Sequence, residues 1–145
     1  MNVRPISYKK YDVTENRFRE IYYFCLQYHE WKEELKENNN TLGSRVLSYM
    51  PRGTPGNALE ALVIKRARLI DKCELIEQAA IQADPELYQY IIKAVTNLDI
   101  TYNYLKTTMA IPCGKNVFYE RRRKFYWILS QKKKGDHGTK IKDVL

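Results

Sequence analysis

Residues 58–83 read ALEALVIKRARLIDKCELIEQAAIQA, and the spacing of their apolar positions decides the fold class. Leu59, Leu62, Val63, Leu69, Ile70, Cys73, Ile76, Ala80 and Ile81 recur at three- and four-residue steps, a near-heptad stripe that belongs to an amphipathic helix and not to a strand. A helix of this length with one apolar face needs a partner. Arg66 interrupts the stripe, and it is expected to reach the edge of the face or to pair with Glu74 or Glu77.

Toward the N-terminus, Thr14 is the expected cap of a helix running to about Glu37. Phe18, Ile21, Tyr22, Cys25, Tyr28 and Leu35 mark its apolar face, and Arg19, Glu20, Glu30, Glu33 and Glu34 its polar one. That apolar face is open to antiparallel pairing with the long helix, while pairing of the long helix with a second copy is equally allowed. Asn38-Asn39-Asn40 is read as the end of the first helix, and Gly43, Pro51, Gly53, Pro55 and Gly56 mark residues 38–57 as a flexible connector, with a short helical turn over Ser44–Met50.

Toward the C-terminus, Asp84-Pro85-Glu86 restarts a helix, with Asp as cap, Pro in the first helical position and an acid in the first turn. Leu87, Tyr90, Ile91, Ala94, Val95 and Leu98 supply its buried face, and Asn97–Asp99 breaks it. A short helix capped by Thr101, a tight turn over Ala110–Gly114 and a longer helix from Lys115 follow. On a helical wheel Val117, Phe118, Phe125, Ile128 and Leu129 share one face, with Arg121 and Arg122 at its margins, and Lys115, Asn116, Tyr119, Glu120, Arg123, Tyr126 and Trp127 fall opposite. The expected organisation is all-α: an N-terminal long-helix hairpin over residues 1–83, a C-terminal helix-turn-helix unit over 84–134 and a flexible tail over 135–145.

Length and composition bound the rest. With 145 residues, 44% of them hydrophobic, the chain can bury a core, which excludes disorder throughout. A formal charge of +8 favours a polyanionic partner and excludes mimicry of DNA by an acidic surface. No run approaches the roughly eighteen apolar residues of a membrane span, and Met1–Lys10 lacks the apolar stretch of a signal peptide, so a soluble cytoplasmic protein without a membrane partner is expected. Cys25, Cys73 and Cys113 are odd in number and far apart, which suits reduced core thiols. His29 and His137 stand at no zinc-ligand spacing, and no phosphate loop, zincin helix or nucleophile elbow occurs, so neither a metal, a cofactor nor an enzymatic activity is expected.

The segment after Asn97 carries the functional reading. A short helix, a turn and a cationic second helix is the arrangement in which the second helix enters the DNA major groove. Thr101 is followed by Leu105, Met109 and Ile111, four, eight and ten positions on, and in this spacing the segment resembles the helix-turn-helix of sigma-factor region 4. From about Asp84 to Lys133 it is similar to the C-terminal part of phage transcriptional regulators of the RinA and ArpU type, with residues 113–127 matching the recognition helix. The turn is one residue longer than in sigma region 4, Lys106 stands where a small buried residue is usual, and Pro112 replaces a Ser cap. The resemblance implies a phage or prophage regulator of transcription in a bacterial cell.

The residue chemistry points the same way. Lys115, Arg121, Arg122, Arg123, Lys124, Lys132, Lys133 and Lys134 face a single acid, Glu120, over the same stretch. Phosphate neutralisation by such a set releases counterions and makes binding salt-sensitive. For base reading, Arg123 suits guanine, Asn116 adenine and Glu120 cytosine. Tyr119, Lys115 and Thr101 suit phosphate, Arg122, Lys124 and Trp127 lie along the same helix, and Lys132 and Lys133 add attraction without specificity. The expected partners are double-stranded DNA, RNA polymerase and a second protomer. Two other classes fit a small basic helical protein: an inhibitor of a host defence nuclease, of the anti-CRISPR kind, and a packaging protein that grips DNA without sequence preference.

Overall fold

The computed structural model describes residues 11–47 and 56–144, with side chains over 11–43 and 57–134. Among these residues the structure is all-α: α1 (Glu15–Leu26), α2 (Tyr28–Leu47), α3 (Gly56–Ala83), α4 (Tyr88–Val95), α5 (Tyr102–Met109) and α6 (Lys115–Val144), with no strand. Residues 1–10 and, within the expected connector, Pro51, Gly53, Pro55 and the end of the turn over Ser44–Met50 lie outside the described residues.

α1 starts as its sequence requires. The Thr14 hydroxyl accepts the Arg17 N–H at 3.2 Å, and Val13 and Phe18, one position before the cap and four after it, are both buried in the manner of a hydrophobic staple. The helix does not reach Glu37. It closes at Leu26, where the Gln27 N–H returns to the Phe24 carbonyl at 3.2 Å, and a new helix, α2, begins at Tyr28. Asn38–Asn40 do not end that helix, which continues to Leu47. Asn38 is buried and its Nδ2 donates to the Leu62 carbonyl at 3.1 Å, a tertiary contact that outweighs the weak helix preference of Asn, roughly 0.5–0.7 kcal/mol per residue.

The helices divide into two compact units. One comprises Tyr28–Glu74, that is α2 with the first part of α3. Its two helices run antiparallel: Lys72 lies over the Trp31 ring at 5.4 Å while Asn38, further along α2, meets Leu62, further back on α3. Trp31, Leu69 and Cys73 are buried here. Arg66 pairs with neither Glu74 nor Glu77; its Nε donates to Asn39 Oδ1 at 2.7 Å, because that amide is what α2 presents at the edge of the seam. On the other side of α3, Val63 and Ile64 remain 52% and 46% exposed.

The other unit joins the chain up to Gln27 with the chain from Leu75 onward. Its framework is α1 packed on α4 and α6, with α4 packed on α6. The sequence left the first helix, read as far as Glu37, open to pairing with the long helix; α2, the second part of that span, does pair with α3, whereas the main partner of α1 is α6, the most C-terminal element. Phe18, Ile21, Cys25, Ile91, Val95, Phe125 and Leu129 of these elements are buried, as is Ile76 near the end of α3, with about 1.5–3 kcal/mol of burial for each of the larger side chains. Arg17 Nη2 also donates to the Ser130 carbonyl at 3.1 Å, tying α1 to α6 across the rim.

Asp84 caps the turn after α3 by accepting the Glu86 and Leu87 N–H groups at 2.9 and 3.1 Å. Pro85–Leu87 form that turn, and α4 proper starts at Tyr88. Leu98 does not join the core but is 64% exposed, since Asp99 takes a left-handed conformation at φ 60° and turns the chain outward. α6 runs on to Val144, through the residues read as a tail, because Gly135 and Gly138 weaken a helix by about 1 kcal/mol each without stopping it.

Burial pushes the Tyr126 phenol well above its ordinary value of 10.0. Below that value the phenol is protonated in both the folded and unfolded chain. Above it the unfolded chain loses the proton first, so stability falls as pH rises through and beyond about 10. Urea unfolding between pH 9 and 11 is expected to show Tyr126→Phe declining less steeply than the parent, by up to about 1.4 kcal/mol per pH unit.

Candidate nucleic-acid interface

α5, a turn over Ala110–Gly114 and the start of α6 fall where the sequence placed them. Thr101 Oγ1 accepts the Tyr104 N–H at 3.2 Å and caps α5. Leu105 and Ile111 are buried and Met109 is half-buried, so the positions four and ten after the cap point inward. Lys106 is exposed, which explains how a charged residue is accommodated there, and Pro112 is exposed in the turn.

The turn closes by a left-handed residue. Ala110 sits at φ 51°, ψ 48°, and the N–H groups of both Ala110 and Ile111 return to the Leu105 carbonyl, the latter at 3.1 Å. Gly114, the residue the turn chemistry would favour for such a role, does not take positive φ. The Tyr102 hydroxyl donates to the Cys113 carbonyl at 2.6 Å and staples the turn to α5, while the Phe118 ring, fully buried, lies 6.3 Å from the Tyr102 ring.

The core face of α6 is rotated from the one read on the wheel. Phe118, Phe125, Tyr126 and Leu129 are buried, and Val117 is 45% exposed. Tyr126 was read as outward and Val117 as inward; both are reversed because α1 lies on the Tyr126 side, with the Phe18 ring edge-on to Tyr126 at 5.0 Å. This rotation sorts the expected contact residues into two sets.

One set is used within the protein. Glu120 accepts the Tyr11 hydroxyl at 2.8 Å and is bonded by Arg121, whose Nε also reaches Asp84 Oδ2 at 3.1 Å. Asp84 first and Glu120 second hold the Arg121 guanidinium above its ordinary pKa. Glu120 is thus an internal acceptor, not a group presented to a cytosine. Arg122 stacks over the Tyr119 ring at 4.6 Å and lies 5.9 Å from Phe118, and burial lowers its pKa, so its plane faces aromatic rings. Trp127 is half-buried with its ring 5.8 Å from that of Tyr11. Lys133 lies 3.7 Å over the Phe24 ring of α1, with Lys132 half-buried beside it in sequence.

The other set points outward. Lys115 and Asn116 are exposed at the start of α6, Arg123 and Lys124 are half-exposed further along, and Thr101, Lys106, Thr107 and Thr108 are exposed on or before α5. Tyr119 stands between the sets, half-buried beneath Arg122. Tyr11 and the Asp84–Arg121 pair went unread in the sequence as parts of this surface. Nothing near Tyr11 marks it, and Asp84 gave only its capping signal. Among the described residues no group of three or more His, Cys, Asp or Glu side chains is placed to hold a metal ion, and no helix is long and apolar enough to cross a membrane.

The left-handed Ala110 makes a direct prediction. A Cβ in this conformation costs about 1 kcal/mol that glycine avoids. Ala110→Gly is expected to raise the urea midpoint by the equivalent of about 0.5–1 kcal/mol, and Ala110→Val to lower it.

No protein-family model matches the chain, and neither a curated protein nor a solved structure matches it.

Proposed function

We propose that this protein binds duplex DNA in a sequence-specific manner and regulates transcription of phage or prophage genes, with α5 and α6 as its helix-turn-helix. The observation that carries the reading is the start of α6: Lys115, Asn116 and Val117 are exposed immediately after the turn, while Phe118 behind them is fully buried. A helix presented in this way offers its first unpaired N–H groups and its leading side chains to a groove, and the exposed Lys106, Thr107 and Thr108 lie where phosphates flank it. Asn116 and Val117 are the candidates for base edges, with Arg123 for guanine about two turns along. Lys115 and Lys124 serve as phosphate contacts.

Selection of bound fragments from genomic DNA is expected to return one enriched motif. On that motif Arg123→Ala should weaken binding by about 5- to 150-fold and relax preference at one position, whereas Lys124→Gln should weaken all sequences alike and reduce the salt slope by about 0.9. Equal affinity for the selected duplex and a scrambled one would leave a packaging role and remove the regulator reading.

The second protomer is assigned to the outer side of α3. Val63 and Ile64 are exposed there beside the exposed Ala67, on a unit of two helices too small to bury both sides of α3. Sedimentation velocity is expected to give a dimer for the parent and a monomer for Val63→Glu with Ile64→Glu, with α-helical circular dichroism retained.

A further inference from the structure

We infer that the outer face of α3 pairs with the same face of a second copy of this chain, antiparallel and centred on Ile64, so that Glu60 of each protomer meets the partner's Arg68. The inference rests on the assignment of the second protomer to the outer side of α3 and supplies its orientation and register. The helix repeat defines the surface. Measured around the helix from Ile64, Glu60, Arg68 and Asp71 lie within about 40° and Ala61 and Ala67 within about 60°. All six are exposed, whereas Leu69 and Cys73, on the opposite side of the helix, are buried.

Charges on this face are left unused within the protein. Two neighbouring cations are taken by α2: Lys65 reaches Glu34 at 3.9 Å, and Arg66 donates to Asn39 at 2.7 Å. Among the described residues, no ion pair or side-chain hydrogen bond engages Glu60 or Arg68. Glu60 stands four residues before Ile64 and Arg68 four after it, with Ala61 three before and Ala67 three after. In an antiparallel pair centred on Ile64, a residue some places before the centre faces the one as many places after it. Glu60 then faces Arg68 twice, and Ala61 faces Ala67 twice.

The alternatives are disfavoured by the same residues. Parallel pairing sets Glu60 against Glu60 and Arg68 against Arg68, like charges in both places. Only the register centred on Ile64 brings that side chain, 46% exposed, against its own copy. The flanking alanines let the helix axes approach toward the short end of the usual range, about 8–10 Å. A different protein would need a complementary charge pattern of its own, whereas a second copy already carries it, and a contact of this symmetry closes at two chains.

The test is charge exchange in the full-length protein, read by sedimentation equilibrium over a concentration series, with circular dichroism confirming that the helices persist. Glu60→Arg and Arg68→Glu each set like charges together at two symmetric contacts and are expected to raise the dimer dissociation constant by about 5- to 30-fold. Combining both substitutions in one chain restores opposite charges and should return it to within about threefold of the parent. Mild oxidation reads the orientation against the parent, whose Cys25 and Cys73 are buried. Ile64→Cys is expected to cross-link and Asp71→Cys not, because seven residues from the centre at about 1.5 Å each leave the two copies about 21 Å apart. A dimer indifferent to the single reversals, a combined variant no tighter than the single ones, failure of Ile64→Cys to cross-link or cross-linking at both positions overturns the register while leaving the second protomer on α3. A parent that stays monomeric, or a dimer that survives Val63→Glu with Ile64→Glu, overturns both.

Discussion

The contact between α1 and α6 governs the rest of the unit that holds the candidate interface. Phe18 packs edge-on against Tyr126 at 5.0 Å, both rings buried, and this one pairing decides which arc of α6 is core. Arg17 on the Ser130 carbonyl and Lys133 over Phe24 extend the seam by about a helical turn on the far side. Once α1 is seated there, Phe118, Phe125 and Leu129 follow on the same arc, α4 fills the adjoining groove with Ile91 and Val95, and Lys115, Asn116 and Val117 are left exposed with Arg123 and Lys124 half-exposed. A helix anchored in the core through Phe118, Phe125, Tyr126 and Leu129 while its leading residues stay exposed presents those residues from a fixed support.

Cationic residues in this protein divide by what the aromatic and carboxylate side chains around them offer. Arg121 lies between Asp84 and Glu120, and Arg122 over Tyr119, because a flat and weakly hydrated guanidinium is stabilised in both settings. Lys115 and Lys124, strongly hydrated point charges, are left on the outside. The chain Tyr11, Glu120, Arg121, Asp84 also joins three parts distant in sequence: the segment before α1, the middle of α6 and the turn after α3. Part of what a charge count assigns to a polyanion therefore serves the fold, while Lys115, Arg123, Lys124 and Lys134 along α6 stay at least half-exposed.

Much of the local structure was legible in the residues. Thr14 and Thr101 cap α1 and α5 as their side chains dictate, whereas Asp84 caps a turn ahead of α4 and not the helix itself, and the α5–turn–α6 boundaries follow from Thr101 and from the Pro112–Gly114 stretch. Three misreadings share a cause. Asn38–Asn40 looked like a helix end, Leu98 like a core residue and Tyr126 like a surface one, and in each case a contact with an element far along the chain, or a left-handed turn, outweighed a local preference worth less than about 1 kcal/mol. Of the candidate interface, Lys115, Asn116, Arg123 and Lys124 were placed outward as read, whereas Glu120 and Arg122 turned to partners that no spacing rule reveals.

Periodicity, capping chemistry and charge, all local properties, were enough to determine that this chain is helical, where most of its helices begin and that its last long helix is cationic. The tertiary structure alone decided that α1 pairs with α6, that Ala110 and not Gly114 carries the left-handed turn, and that Tyr11 lies across Glu120 and Trp127. A helix repeats every 3.6 residues, so its sequence specifies an apolar face only to within the width of one or two side chains. Which neighbour covers that face, and so which residues remain outside, is a property of the assembled core.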